Sequence, residues 1–215
     1  MSQTQTLIVA IDGPAAAGKG TIARDIAEQL NLAYLDSGSL YRAVAHAVLC
    51  AGSDPADDAA AEQAARTLDI EAIDQTAIRT REVGSAASQV AAKPPVRAAL
   101  LETQRRFAHN PPEGRAGVVM DGRDIGTVIC PDADVKLFVT ASDEARAHRR
   151  WLELSKDDAA LTQEQVLADL QERDRRDRER DTSPMVQAED AVLLDTTNLS
   201  IEAAIQAALD IVGRR

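Results

Sequence analysis

The nine residues Gly13-Pro-Ala-Ala-Ala-Gly-Lys-Gly-Thr21 restrict what this chain can become more than any other stretch. They follow a short apolar run, Leu7-Ile-Val-Ala-Ile11, that reads as a buried strand. They precede Ile22, Ala23, Ile26, Ala27 and Leu30, spaced as one face of a helix. Glycines in a strand-to-helix connection let the backbone curl so that successive N–H groups turn inward. The helix that follows adds partial positive charge at its N-terminus. Lys19 then supplies a point charge for the outer phosphates of a nucleotide. In this context the stretch is a phosphate-binding loop, made of Gly13, Pro14, Ala15, Ala16, Ala17, Gly18, Lys19, Gly20 and Thr21. The general pattern has Ser or Thr directly after the lysine. Here Gly20 intervenes, and Thr21 is the hydroxyl expected to reach Mg²⁺, directly or through water.

The remaining chain supplies the strand–helix alternation that such a loop needs. Leu32–Leu35, Gly117–Met120, Val135–Val139 and Ala191–Leu194 read as further strands. Residues 39–51, 95–109, 142–154, 162–180 and 200–212 read as helices, with Thr162 and Gln165 placed as a capping box. The alternation predicts an α/β P-loop NTPase fold: a five-stranded parallel sheet with helices on both faces. One domain is expected over residues 1–215, with a core at about 1–51, 94–154 and 163–215. Residues 52–93 break the pattern. They are rich in Ala and acidic residues, their periodicity is weak, and Asp69–Ile73 alternates as a strand would.

With only 2% aromatic residues, the core must be built from Ala, Val, Leu and Ile. A net charge of −11 argues against general affinity for nucleic acid or an anionic membrane, both of which need a basic face. No run approaches a membrane span, and the N-terminus carries no basic-then-apolar signal. Cys50 and Cys130, far apart and without CxxC spacing, read as reduced thiols. A cytoplasmic protein is expected. Against the general acidity, arginine is concentrated at Arg42, Arg97, Arg123 and in Glu172-Arg-Asp-Arg-Arg-Asp-Arg-Glu-Arg180. At ~100° per residue, Arg173, Asp177 and Arg180 fall within about 60° of one another, with Arg176 at the edge of that face. Guanidinium forks suit phosphate oxygens, so the cluster reads as a second anion site. Asp121, at the C-terminal end of a central strand, is placed to organise Mg²⁺ water or an acceptor.

Those residues match a family. Ile11-Asp-Gly-Pro, Gly18-Lys-Gly-Thr21, Leu35-Asp-Ser-Gly38 with Tyr41-Arg42, Ala86-Ala-Ser-Gln-Val-Ala91, Asp121-Gly-Arg-Asp-Ile-Gly-Thr127, Ala147-His-Arg-Arg150 and Glu172–Arg178 resemble the bacterial cytidylate kinases along almost the whole chain. The resemblance implies ATP-Mg²⁺-dependent phosphorylation of CMP or dCMP. It implies a core, a hinged monophosphate-binding insertion (about 52–93) and a lid (about 155–162). It implies that Ser88, Arg97 and Asp124 contact cytosine, that Arg173 and Asp177 hold the sugar side, and that Arg42, Arg123 and Arg180 surround the acceptor phosphate beside Ser37. Cytosine fits this set chemically. Its N4 amine donates to a carboxylate such as Asp124, and N3 and O2 accept from Arg97 and Ser88, whereas uracil would set O4 against the carboxylate.

The catalytic residues expected are Lys19, Asp121, Arg123, Arg173 and Arg180, with Thr21 and Asp121 toward the metal. Arg149, Arg150 and Arg173 are expected to close with the lid. The segment between Asp69 and Arg79 is too short for the small sheet that many relatives carry, which predicts an insertion of helices and one irregular strand. A P-loop kinase acting on UMP or AMP is the nearest alternative. A nucleotide switch is disfavoured because no Asn-Lys-x-Asp occurs. A nucleic-acid module is disfavoured because acids alternate with the arginines. His46, His109 and His148 are expected outside the chemistry, and Trp151 is expected in packing. The partners expected are small nucleotides, with no nucleic acid, no membrane and a monomeric state.

Overall fold

The computed structural model of the chain describes residues 6–70, 72–112, 114–156 and 158–214. Five strands, β1 (Leu7–Asp12), β2 (Ala33–Asp36), β3 (Gly117–Gly122), β4 (Val135–Thr140) and β5 (Val192–Asp195), form one sheet in the order β2-β3-β1-β4-β5. Every neighbouring pair is parallel. The central strands are apolar on both sides because both sides are covered. Val9, Ile11, Val119, Leu137 and Val139 point to one face, where α1 (Lys19–Gln29) and α8 (Ile201–Val212) bury them. Ile8, Ala10, Val118 and Met120 point to the other, against Ala108 of α5 (Pro94–His109) and the π-type turn Ile125–Ile129. The two-residue alternation of side chains along a strand produces this division.

Register places the chemistry. Ile11 and Asp36 both lie opposite Asp121, and Asp12 lies opposite Gly122. Asp12, Asp36 and Asp121 therefore share the C-terminal edge of the sheet, where open parallel sheets bind ligands. Strands β2, β3 and β5 run one or two residues further toward that edge than the apolar patterning suggests. Their final residues are acids or glycine, which carry no hydrophobic signal but still pair through their backbone.

The segment 52–93 differs from expectation. Asp69, Ile70, Ala72 and Ile73 form turns and irregular chain rather than a strand, and Glu71 lies outside the described residues. A lone short strand with no neighbour would leave its backbone groups unpaired, so alternation alone cannot hold one. The described part of the segment contains instead α3 (Asp58–Arg66), a 3-10 turn (Ala77–Arg79) and α4 (Arg81–Val90). These pack on α2 (Ser37–Cys50) in a cluster of small and branched residues that includes Val44, Val48, Ala61, Ile78, Val83 and Val90. Gly84 lets α4 approach closely, because a Cβ there would stand 3.3 Å from Arg42 Nη1.

Helices α6 (Asp143–Leu154) and α7 (Gln163–Glu179) are joined by residues 155–162. Thr162 and Gln165 form the expected capping box, with bonds of 3.0 and 3.3 Å. Trp151 packs with Leu154, Leu161, Val166, Leu170 and Ala15. Its indole N–H donates to the Leu161 carbonyl at 2.9 Å, so packing is its observed role.

Candidate active site

The phosphate loop forms as its residues dictate. Gly13 has φ +139°, and a Cβ there would lie 2.0 Å from the Val139 carbonyl oxygen, so a side chain is excluded. Gly18, at φ +93°, turns the chain in left-handed geometry into α1. Lys19 is buried and donates to the Pro14 carbonyl at 2.7 Å, which folds its side chain across the loop. Ala15 through Thr21 line one wall of a cavity of about 410 Å³.

Arg42, Arg79, Arg123, Arg149, Arg150 and Arg173 line the same cavity. For Arg42 and Arg173 that charge is poorly compensated. Burial, and then the Arg173 and Arg150 guanidinium groups, pulls the Arg42 pKa down. Burial, and then Arg123, does the same to Arg173 and Lys19. The Arg173 Nε is buried without a hydrogen-bond partner. Crowded cations with unspent donors make a pocket for polyanions. Arg149 is fixed by Thr196, donating to its hydroxyl at 3.1 Å and its carbonyl at 2.7 Å. Leu199, Ser200, Ile201 and Ala204 complete the cavity beside that anchor.

Asp36 and Asp121 face this cationic space at the sheet edge, while Glu153, also on its wall, pairs with Arg150 at 2.7 Å. Burial, and then the Asp36 charge, raises the Asp121 pKa. The Tyr34 hydroxyl donates to Asp121 Oδ1 at 2.8 Å, and Arg24 lies over the Tyr34 ring at 5.3 Å. Among the described residues no cluster of three or more His, Cys, Asp or Glu is arranged to hold a metal. A cavity with two neighbouring acids and the Thr21 hydroxyl fits Mg²⁺, which keeps most of its waters and takes few protein ligands.

A second, buried cluster adjoins the first through Arg123. Its Nε donates to Asp177 Oδ2 at 3.0 Å. Burial alone would raise the Asp177 carboxyl, but Arg123, Arg173 and Arg180 outweigh it and hold the pKa low. Asp124 pairs with Arg97, whose guanidinium lies 5.5 Å from the Tyr41 ring centre. Arg180 Nη2 stands 3.6 Å from Asp124 Oδ1 without forming a hydrogen bond. Ser88, on α4, is buried with its hydroxyl unpartnered. Ser37 donates to the Asp121 carbonyl at 2.8 Å.

The structure thus gathers Lys19, Thr21, Arg42, Asp121, Arg123 and Arg173 around one cavity. It places Arg97, Asp124, Asp177 and Arg180 together beside it, and Ser88 makes no hydrogen bond to that group. Arg176, at the edge of the arginine face, turns to Glu172. His46, His109 and His148 are away from the cavity, beside Cys50, Asp132 and Gln163 respectively. Sequence reasoning missed the part played by Tyr34, whose hydroxyl reaches Asp121 across the β2–β3 pair. The same parity of Tyr34 and Asp36 on β2 was the available signal.

A parallel sheet of this order, a phosphate loop after its central strand and a facing wall of arginines define a P-loop kinase. Solved structures agree on the fold. An uncharacterized protein from Eubacterium ventriosum matches with TM-score 0.59 and 13% identity, covering 98% of this chain and 100% of that one. A sugar kinase from Janibacter matches with TM-score 0.51 and 15% identity, covering 97% of this chain and 95% of that one. The chain belongs to the cytidylate kinase family, whose description matches residues 9–214. It is 54% identical to a protein named cytidylate kinase from Rhodospirillum rubrum, over 97% of this chain and 98% of that one. It is 57% identical to one of the same name from Azorhizobium caulinodans, over 97% and 98%. Among the described residues no helix is long and apolar enough to cross a membrane.

Proposed function

We propose that this protein transfers the γ-phosphate of ATP to CMP or dCMP, giving ADP and CDP or dCDP. The observation that carries this is a single cavity with the phosphate loop on one wall and seven arginines on the others. One polyanion needs only the loop; two facing polyanions need both walls. The acceptor is already an ionised phosphate oxygen, so no general base is required, and catalysis is positioning plus charge stabilisation.

In this reading Gly13–Thr21 hold the donor phosphates, and Lys19 follows the charge that migrates to the leaving ADP. Arg42, Arg123 and Arg180 hold the acceptor phosphate beside Ser37. Arg173 and Asp177 face the sugar. Ser88, Arg97 and Asp124 read cytosine, and the unpartnered hydroxyl of Ser88 supports that assignment. Thr21 and Asp121, with Asp36 near, would hold Mg²⁺ and its waters, and the ion would supply charge neutralisation between donor phosphates. Residues 52–93 serve as the acceptor-binding insertion, and 155–162 as a lid whose flanking helices bring Arg149, Arg150 and Arg173 inward. Closure would exclude water and suppress ATP hydrolysis. We take the protein to work as a cytoplasmic monomer.

The test is ADP formation from ATP-Mg²⁺ with CMP, dCMP, UMP or AMP as acceptor. Turnover with the cytosine nucleotides well above the others is expected. Acceptor-independent hydrolysis alone, or equal rates with all four, would overturn the reading.

A further inference from the structure

Asp12 ends the central strand and is the residue immediately before the phosphate loop, yet its carboxylate does not serve the loop. It is buried. Its Oδ1 accepts from the Ile125 N–H at 2.8 Å and its Oδ2 from the Gly126 N–H at 2.7 Å. These are the opening amides of the π-type turn Ile125–Ile129. The turn's own bonds run from Val128 and Ile129 to the Asp124 carbonyl and from Cys130 to the Ile125 carbonyl, so its first two N–H groups need an outside acceptor.

An Asp directly before such a turn ordinarily supplies that acceptor itself. Asp124 occupies that position, and its side chain makes no capping bond. It turns the other way, to Arg97 and toward Arg180. The capping task has passed to a carboxylate more than a hundred residues earlier in the chain, and this frees Asp124 to face the acceptor cluster.

We propose that Asp12 is a positioning residue for acceptor specificity: by capping the 125–129 turn it keeps the Asp124 carboxylate out of the turn and in the base-reading position. The inference deepens the CMP kinase reading and rests on it. A carboxylate is needed because both oxygens must accept. An Asn would present its NH₂ to one of the two amides, and the turn would then compete for Asp124.

Two variants attack the contact from opposite sides. Asp12→Asn removes one acceptor. Gly126→Ala presses on the turn beside that contact, because a Cβ there would stand 3.1 Å from Lys136 Cδ and touch Asp12 Oδ2 at 3.4 Å. Should Asp12→Asn fail to fold, Gly126→Ala carries the test alone. In steady-state assays with CMP and UMP, we expect the CMP-over-UMP ratio of kcat/KM to fall about tenfold or more and KM for CMP to rise by a similar factor. KM for ATP should move by less than about threefold. A crystal structure of either variant is expected to show the Asp124 carboxylate bonded to the amides of its own turn. Unchanged selectivity in a folded variant would overturn the proposal. So would equal rises in KM for ATP and CMP, or an Asp124 still paired with Arg97 in the variant crystal. Absence of CMP-dependent turnover in the unmodified protein would instead defeat the functional reading, and the crystal result would still decide whether Asp12 controls Asp124.

Discussion

Arg180 is nearly buried, yet its hydrogen bonding is incomplete. Its Nε donates to the Ser183 carbonyl at 2.7 Å, while Nη2 waits 3.6 Å from Asp124. An unspent donor contributes to binding and turnover more than to folding. Arg180→Ala should therefore lower kcat by about 10²–10³-fold, while its melting temperature falls only a few degrees; near-normal turnover would remove Arg180 from the site. Asp124→Ala should relax the preference for CMP over UMP, checked by the same acceptor comparison. The carboxyls at the sheet edge give a pH dependence of definite sign. Burial, outweighing two backbone hydrogen bonds, pushes Asp12 up to about 6, and Asp121 is raised as well. Such groups take up a proton more readily folded than unfolded. Ligand-free stability should rise as pH falls from about 6.5 toward 4, by on the order of 2 kcal/mol for Asp12, and be lost again as pH rises through 6. Carboxyls such as Asp177, held low, act with the opposite sign toward the acid end. The check is therefore the difference in thermal melts between the protein and Asp12→Asn across that range, and equal pH slopes in the two would count against it. On the proposed role of Asp121 toward Mg²⁺, which needs it ionised, turnover should move the opposite way. Much of this site was legible in the sequence, because the phosphate loop is contiguous and the Arg173–Asp177–Arg180 face follows from helix spacing. The pairing of Asp12 with Ile125 and Gly126 was not legible, since nothing local links residues so far apart in the chain.

Among elements, α6, α7 and the phosphate loop meet at Arg146, whose side chain is only 1% exposed. It donates to the Ala15 carbonyl at 3.1 Å, to the Ala141 carbonyl at 3.1 Å, and pairs with buried Asp174 at 2.6 Å. Removing it strands an uncompensated carboxylate. Arg146→Ala should cost about 3–5 kcal/mol in urea unfolding, and replacing Asp174 by Leu in the same protein should recover part of that loss. Additive losses would contradict the pairing. Asp174 looks solvent-facing within the mixed-charge run 172–180, and only the packing of α7 on α6 reveals otherwise. The sheet and six helices could be read from periodicity and caps, α7 chiefly from its capping box, because its buried residues include Asp174 and Asp177. Helix α4 could not. It is only ten residues long with Gly84 inside it, and its buried residues are Gly84, Ala86, Ala87 and Ser88 with two valines, packed on α2. The alternation at 69–73 misled because it had no sheet to join.

At the scale of the molecule, an acidic protein of net charge −11 encloses a cationic chamber. The two do not cancel, because charges separated by more than a Debye length are screened from one another whereas the arginines in the chamber are close neighbours. A polyanion that neutralises the chamber should stabilise the fold by mass action, about 2.7 kcal/mol at a hundred times its dissociation constant. Inorganic tripolyphosphate, though not a nucleotide, is expected to raise the melting temperature by several degrees, and an equal ionic strength of sodium chloride is not. Equal shifts would mean that general screening, not the chamber, is responsible. The indole of Trp151 donates to the Leu161 carbonyl, within the connection between α6 and α7, and the chain has one tryptophan in all. Intrinsic fluorescence of the whole protein is therefore a reporter on that single connection, and a shift in its emission on adding both nucleotides would record the proposed closure optically, without any attached dye.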